Sequence, residues 1–188
     1  RRAGVRRIIM GLPSWPNHAQ ILADLDVELK SFNHAASGGV TDMDALRAAI
    51  AEGQPGDAIL LHGCCHNPTG IDYSHAQWDE IAPLVAARGL LPILDLAYQG
   101  LGQGMEEDAY GVRRVLAEVP EALIAYSCDK NFGMYRDRVG AIYVMAENAE
   151  VLGRVLSNGH ALARAAWSMP PDHGGAAVRL ILEDPALT

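Results

Sequence analysis

The sequence has 188 residues, a hydrophobic fraction of 49% and a formal net charge of −8. This length fits one domain or a large part of a bigger protein, and the hydrophobic fraction is enough for a packed core, which excludes global disorder. The negative charge argues against a general nucleic-acid-binding protein.

The cysteines indicate a reducing compartment, and we therefore expect a cytoplasmic protein. Cys64 and Cys65 are adjacent, and with Cys128 they give an odd count. This does not fit the disulfide framework of a small secreted protein. No Cys/His spacing is typical of a closed zinc site, so we expect no metal.

Both ends of the sequence suggest that it is part of a longer chain. The first residues are basic and then briefly apolar, and this apolar run is too short for a signal peptide or a membrane span. The sequence does not open with Met, and it stops just after a helical pattern. We therefore expect a domain truncated at both ends, with no membrane association.

The first half of the chain alternates between apolar runs and amphipathic segments. Ser74 is a predicted N-cap, and Gly89 a predicted helix stop. The predicted elements are a strand at 5–10, a loop at 13–18, a short helix at 18–25, a strand at 27–32, a helix at 43–51 with its N-cap region at 41–44, a strand at 58–62, a loop at 63–70 and a helix at 75–88.

The second half continues the alternation. The predicted elements are a strand at 90–95, a glycine-rich loop at 100–104, a helix at 106–119, strands at 122–127 and 139–145, a long helix at 149–166 interrupted around Gly159, and a helix at 176–183. Strands that alternate with helices predict an α/β fold, in which a mainly parallel sheet carries helices on both faces.

Polar residues follow the ends of several predicted strands. Asp95 closes an apolar strand, so its carboxylate needs a partner. In a purely structural role, that partner would be a helix N-terminus that Asp95 caps or a nearby arginine. Lys130 follows another strand, with Ser127 before it and Arg138 after it, and a hydroxyl and a guanidinium are suited to phosphate. Considered without the rest of the chain, this stretch is best explained by a solvent-exposed lysine in a loop. Because parallel strands end along one edge, we expect these groups to converge there.

Other candidates have plain structural alternatives. Asn67 precedes a proline, which is typical of a turn. Trp15 either packs in the hydrophobic core or offers a flat surface on which a ligand's ring can stack. His62 and His66 are expected to be hydrogen-bonded scaffolding. Tyr98 lies three positions after Asp95, close enough to share a ligand.

Five segments in order resemble the large cofactor-binding domain of fold-type I pyridoxal-phosphate aminotransferases, in the aspartate and aromatic-amino-acid subgroup. The family is roughly twice this length, which agrees with truncation. The segments are residues 13–18 (PSWPNH), 62–70 (HGCCHNPTG), 95–100 (DLAYQG), 127–135 (SCDKNFGMY) with 138–140 (RVG), and 164–174 (RAAWSMPPDHG).

The resemblance implies pyridoxal 5′-phosphate as cofactor and gives roles to the catalytic candidates. Lys130 would form the Schiff base and then move a proton between the substrate carbon and the cofactor. Asp95 would pair with the pyridinium nitrogen, so that the ring can accept electrons. Tyr98 and Asn67 would hydrogen-bond the ring oxygen and lower the pKa of the Schiff base.

It also implies the remaining binding residues. Ser127 and Arg138 would hold the phosphate, and Trp15 would stack on the ring, with His18 supporting the aspartate behind it. Arg164 would reach into the partner's site of a homodimer and bind a substrate carboxylate. Trp15, Asn67 and Arg164 would thus contact substrate.

The sequence departs from the family pattern at two places. Asp129 precedes the lysine where serine is more frequent, and we expect its side chain to face outward. Residues 167–169 read Trp-Ser-Met in place of Tyr-Ser-Asn, which leans toward aromatic substrates. The family's N-terminal phosphate loop and its C-terminal small domain, with the arginine for the α-carboxylate, do not match any part of the sequence. Residues 1–188 are therefore interpreted as an incomplete large domain.

The resemblance implies transamination between an aromatic or dicarboxylic amino acid and a 2-oxo acid such as 2-oxoglutarate, by a ping-pong mechanism through Lys130. One alternative is another pyridoxal-phosphate reaction, such as β-elimination. A second is a non-catalytic fragment that binds cofactor weakly or serves as an interaction module.

Overall fold

The computed structural model describes residues 4–187; Arg1 and Arg2, two of the basic residues that open the sequence, lie outside that range. Within it, six strands form one sheet in the order β2-β1-β5-β6-β7-β8. These strands are β1 (Arg7–Leu12), β2 (Glu28–Asn33), β5 (Ala58–His62), β6 (Leu91–Leu96), β7 (Ala122–Ser127) and β8 (Gly140–Met145). The pairings from β2 to β7 are parallel, and β8 runs antiparallel to β7, which confirms a mainly parallel sheet.

Helices connect most of these strands. They are α1 (Pro16–Ala23), α2 (Met43–Glu52), α3 (His75–Ala87), α4 (Tyr110–Leu116), α5 (Ala149–Trp167) and α6 (His173–Glu183). The Ser74 side chain caps α3 in a capping box, as predicted, and the Asp42 side chain caps α2. None of the helices in the described range has the length and apolar run that a membrane span requires.

The two faces of the sheet carry separate hydrophobic cores. Ile59 and Leu61 of β5 pack in the larger core, which contains residues of α2, α3 and α4. Ala58 and Leu60, which alternate with them, pack in a smaller core with Leu22 of α1. Because successive side chains of a strand point to opposite faces, the helices cover both faces, as predicted.

Three details differ from the prediction. Helix α5 continues through Gly159 without interruption, so the predicted break is wrong; a glycine in a long helix costs about 1 kcal/mol, which does not break it. Helix α4 is shorter at both ends than the predicted 106–119, and the Asp108 carboxylate just before it accepts hydrogen bonds from three preceding backbone N–H groups of the predicted loop. A short antiparallel ribbon, β3 (Ala35–Ala36) and β4 (Val40–Thr41), was not predicted.

The strand order reverses at β1. This strand pairs with β2 on one side and with β5 on the other, although the chain visits β2 first. In open α/β sheets, ligands bind beyond the carboxyl ends of the strands next to such a point. The ends of β1, β5, β6 and β7 therefore define where a site is expected.

Candidate functional site

The candidate residues meet at this edge of the sheet. The Nε2 atom of His18 lies 2.9 Å from Oδ2 of Asp95, and the Asn67 amide nitrogen lies 3.4 Å from the hydroxyl of Tyr98. The amine of Lys130 lies over the ring of Tyr98, 5.3 Å from its centre. The expected convergence of side chains from separate strand ends is thus present in the structure.

A chain of hydrogen bonds leads to Asp95 from the loop after β5. The backbone N–H of Asn67 donates to Nδ1 of His62 over 3.3 Å, and Nε2 of His62 lies 3.1 Å from the hydroxyl of Ser14. That hydroxyl lies 3.0 Å from Nδ1 of His18, whose Nε2 faces Asp95. A backbone N–H can only donate, so His62 accepts at Nδ1 and donates at Nε2. Ser14 is then free to donate to His18, and every link points toward the Asp95 carboxylate.

Burial keeps the middle of this chain neutral. Burial lowers the pKa of His62 to about 4. The charge of Asp95 opposes this shift to a smaller extent, and His18 and His34 add to it. A neutral His62 can accept from Asn67 while it donates to Ser14, which the direction of the chain requires. The Asp95 carboxylate is therefore held in place, and its Oδ1 is left to accept from a further donor.

More histidines pack behind this chain. The ring of His66 stacks on that of His34, 3.5 Å between centres, and lies 4.2 Å from the ring of His62. Burial and the neighbouring imidazoles lower the pKa of His66 to about 3, and burial also lowers that of His34. His34 hydrogen-bonds the carbonyl of Ile71, and His66 the hydroxyl of Thr69. The expectation that His62 and His66 are hydrogen-bonded scaffolding is confirmed.

The loop after β7 carries the other group of candidates. The backbone N–H of Asp129 donates to the Ser127 hydroxyl over 3.1 Å. The guanidinium of Arg138 forms an ion pair with the Asp129 carboxylate and donates to the carbonyl of Tyr135 over 2.9 Å. Arg138 also adopts a φ of 55°, a left-handed conformation that costs an L-residue roughly 1–2 kcal/mol. Such a cost is typical of functional loops.

The prediction for Asp129 is wrong. Its side chain is only 8% exposed and faces Arg138, instead of pointing into solvent. The reason is the opposite charge of Arg138, nine positions later, which no local pattern relates to it. Oδ1 of Asp129 is buried without a hydrogen-bond partner among residues 4–187, as is Oδ1 of Asn131.

The two remaining candidates differ in their contacts. Trp15 is partly exposed, and its ring lies at nearly a right angle to that of His18, with 5.2 Å between centres. Arg164 lies on α5 with an exposed side chain, and no described contact joins it to the other candidates. Ser14 was not predicted as a link between the histidines, although its spacing of four residues before His18 carries a weak signal.

Cys64 and Cys65 lie close to Asp108, with their ligand atoms within 4.8 Å of one another. The carboxylate of Asp108 is already engaged by the backbone N–H groups of Gly100, Gly102 and Gln103. Burial raises the pKa of both thiols, which favours their protonated form. We therefore interpret this cluster as part of the loop's packing.

Comparisons with known proteins agree with this arrangement. The sequence model of the family described as "Aminotransferase class I and II" matches residues 3–188. The tyrosine aminotransferase of Rhizobium meliloti is 54% identical over 188 residues, which cover 99% of this chain and 48% of that protein. The aspartate aminotransferase of Escherichia coli is 42% identical, over 100% of this chain and 48% of that protein.

Solved structures give the same result for the fold. An aromatic-amino-acid aminotransferase from Burkholderia pseudomallei, described as covalently bound to pyridoxal phosphate, matches with a TM-score of 0.93 and 36% identity. The match covers 97% of this chain and 46% of that chain. The chain thus spans about half the length of these relatives. With the whole described fold and nearly every residue matched, the chain belongs to the class I and II aminotransferase family.

Proposed function

We propose that the whole protein is a pyridoxal-phosphate-dependent aminotransferase that uses the site at this sheet edge. The observation that carries the proposal is the convergence of a lysine, a carboxylate and a phenol from separate strand ends: Lys130, Asp95 and Tyr98. Relatives named tyrosine and aspartate aminotransferase support the reaction class. A structural neighbour described with covalently bound pyridoxal phosphate supports the cofactor.

The ring of this cofactor fits the groups at the ends of β5 and β6. Asp95 uses Oδ2 to accept from His18, and its Oδ1 would accept from a protonated ring nitrogen. The hydroxyl of Tyr98 and the amide of Asn67, 3.4 Å apart, would donate to the ring oxygen. Trp15, partly exposed at the mouth of the site, would cover one face of the ring.

The phosphate fits the loop after β7. The Ser127 hydroxyl accepts from a backbone N–H, which leaves its own proton to donate to a phosphate oxygen. The side chain of Arg138 is 69% exposed, and its two described hydrogen bonds both use Nη1. Nε and Nη2 would therefore donate to phosphate, the bidentate pattern that guanidinium groups favour.

Lys130 is placed to act as base and acid in this site. When bound, the cofactor would supply an aldehyde that captures amines and a ring that accepts an electron pair. The Lys130 amine lies over the rings of Tyr98 and Tyr135, 5.3 and 5.9 Å from their centres. From there it would take the proton from the substrate α-carbon as a base and hold it for return as an acid.

The assembly and the substrates extend the same proposal. Amino acids with aromatic or dicarboxylic side chains would be the donors, with a 2-oxo acid such as 2-oxoglutarate as acceptor. Arg164 would act in the partner's site of a homodimer, which accounts for its distance from the other candidates. Residues 1–188 would be the incomplete large domain of a cytoplasmic enzyme.

A panel of amino donors tests the proposed function in the whole protein. With 2-oxoglutarate, we expect tyrosine, phenylalanine or aspartate to yield the matching 2-oxo acid and glutamate. Ammonia released without 2-oxoglutarate would instead identify an elimination reaction. Cofactor binding with no turnover of any donor would identify a non-catalytic protein, and either outcome would contradict the proposal.

A further inference from the structure

Asp129 contacts both groups that are proposed to hold phosphate. Its backbone N–H donates to the Ser127 hydroxyl, and its carboxylate pairs with the Arg138 guanidinium. We propose that Asp129 is an internal anion that competes with phosphate for Arg138 and thereby sets the affinity for phosphate-bearing ligands. This inference rests on the proposed function in one respect: the ligand's phosphate is the cofactor's.

Burial fixes Asp129 in this competition, whereas Arg138 remains accessible. The Asp129 side chain is 8% exposed and that of Arg138 is 69% exposed. The guanidinium therefore lies largely in solvent, whereas the carboxylate with which it pairs is shielded from it. A phosphate that binds Arg138 has to share the guanidinium with Asp129 or draw it away.

Drawing the guanidinium away is unfavourable for Asp129. Among residues 4–187, Arg138 is the only described hydrogen-bond donor to its carboxylate, and Oδ1 has no partner at all. The amide nitrogen of Asn131, two residues on, is already bound to the Tyr126 hydroxyl and the Gln99 carbonyl. A buried carboxylate without its only counter-charge is strongly disfavoured.

Sharing the guanidinium is also unfavourable. The carboxylate and a phosphate of one to two negative charges would then lie around one positive charge and repel each other. Either route lowers the affinity for phosphate. We expect that removing the charge of Asp129 raises phosphate affinity about 10- to 100-fold.

The test measures binding to the whole protein, free of cofactor, as wild type and as the variants Asp129→Asn and Asp129→Ser. The probes are inorganic phosphate, pyridoxal phosphate, and pyridoxal, which lacks the phosphate. Isothermal titration gives the affinity for each probe. We expect both variants to bind the two phosphate-bearing probes about 10- to 100-fold more tightly, with the affinity for pyridoxal unchanged.

The matched control is Asp137→Asn. This substitution removes one acidic group from the same loop, but the Asp137 carboxylate pairs with His173 and not with Arg138. The control should bind all three probes as the wild type does. Equal gains in the control would mean that the effect is only the overall charge of the loop, and would overturn the assignment to Asp129.

Unchanged or weaker phosphate binding in folded Asp129 variants would also overturn the inference. Thermal melts verify folding, and the smaller Ser variant serves if the Asn variant fails to fold. The inference and the proposed function fail differently. If the variants bound phosphate more tightly but no protein bound pyridoxal phosphate through its aldehyde, the proposed cofactor would be wrong. The proposed competition between Asp129 and phosphate would still hold.

Discussion

The two ends of the candidate site are built differently. The ring end, formed by Asp95, His18, Ser14, His62 and Asn67, joins three strand ends and a helix by hydrogen bonds that all point toward one carboxylate. The phosphate end is formed by Ser127, the last residue of β7, and by Asp129 and Arg138 on the loop that follows.

The difference is one of preorganisation. At the ring end, parallel strands fix the backbone, and burial keeps the connecting imidazole of His62 neutral. At the phosphate end, a largely exposed arginine pairs with a buried carboxylate, one oxygen of which has no partner among residues 4–187. The ring end is therefore set before a ligand arrives, whereas at the phosphate end a ligand would meet an arginine that is already paired with a carboxylate.

Asp95→Ala should have the largest effect in this comparison. It removes the charge to which the whole ring end leads, and a preorganised electrostatic group is worth about 10²–10³ in rate. We expect kcat to fall by that factor while inorganic phosphate affinity stays unchanged. Turnover assays and phosphate titration check the two halves of the prediction. A large change in phosphate affinity would show that the two ends are not separate.

Stability at acid pH should show the burial of the ring end. The folded pKa of His62, about 4, lies below its unfolded value of 6.5. The unfolded state therefore binds more protons between these values, so stability is complete above pH 6.5 and declines as the pH falls toward 4. We expect a loss on the order of 2–3 kcal/mol from this residue.

Urea unfolding of the cofactor-free protein between pH 7 and 4.5 measures this loss. The His62→Asn variant should show a flatter pH dependence than the wild type. His160→Asn, which changes an exposed histidine on α5, should match the wild type. An unaltered slope in His62→Asn would contradict the burial argument.

Ser14→Ala should have the smallest effect of the three. It breaks the middle of the hydrogen-bond chain but leaves the direct contact of His18 with Asp95 in place. A lost hydrogen bond in a buried network costs about 1–2 kcal/mol, so we expect about a tenfold loss of kcat. The pH profile of kcat should move as well, because His18 loses the donor that fixes its tautomer. A lower activity with an unmoved pH profile would point to packing alone.

The strand ends and their polar residues could be predicted from the sequence, because short apolar runs mark the strands and parallel strands end along one edge. The contacts of Asn67 and Lys130 with Tyr98, three residues after Asp95, agree with this expectation. Contacts that join distant segments could not be predicted this way. The link through Ser14 depends on how α1 packs, and the inward turn of Asp129 depends on a charge nine residues away.

Local propensity also misled at two helices. Gly159 suggested a break in α5, but the length of the helix outweighs a single glycine. The apolar spacing at 106–119 suggested a helix of that length, whereas the helix spans only Tyr110–Leu116, and the predicted loop at 100–104 is present.

The central claim, that Lys130 carries the cofactor, has a direct test, because this chain contains only two lysines, Lys30 and Lys130. Lys30 is on β2 and pairs with Glu52, away from the site, so it is a natural control. The whole protein, loaded with pyridoxal phosphate, would be reduced with borohydride, digested and analysed by mass spectrometry. We predict the modification on the peptide with Lys130, unchanged in Lys30→Arg and lost in Lys130→Ala together with the visible absorbance. Modification at another lysine, or full activity of Lys130→Ala, would contradict the account.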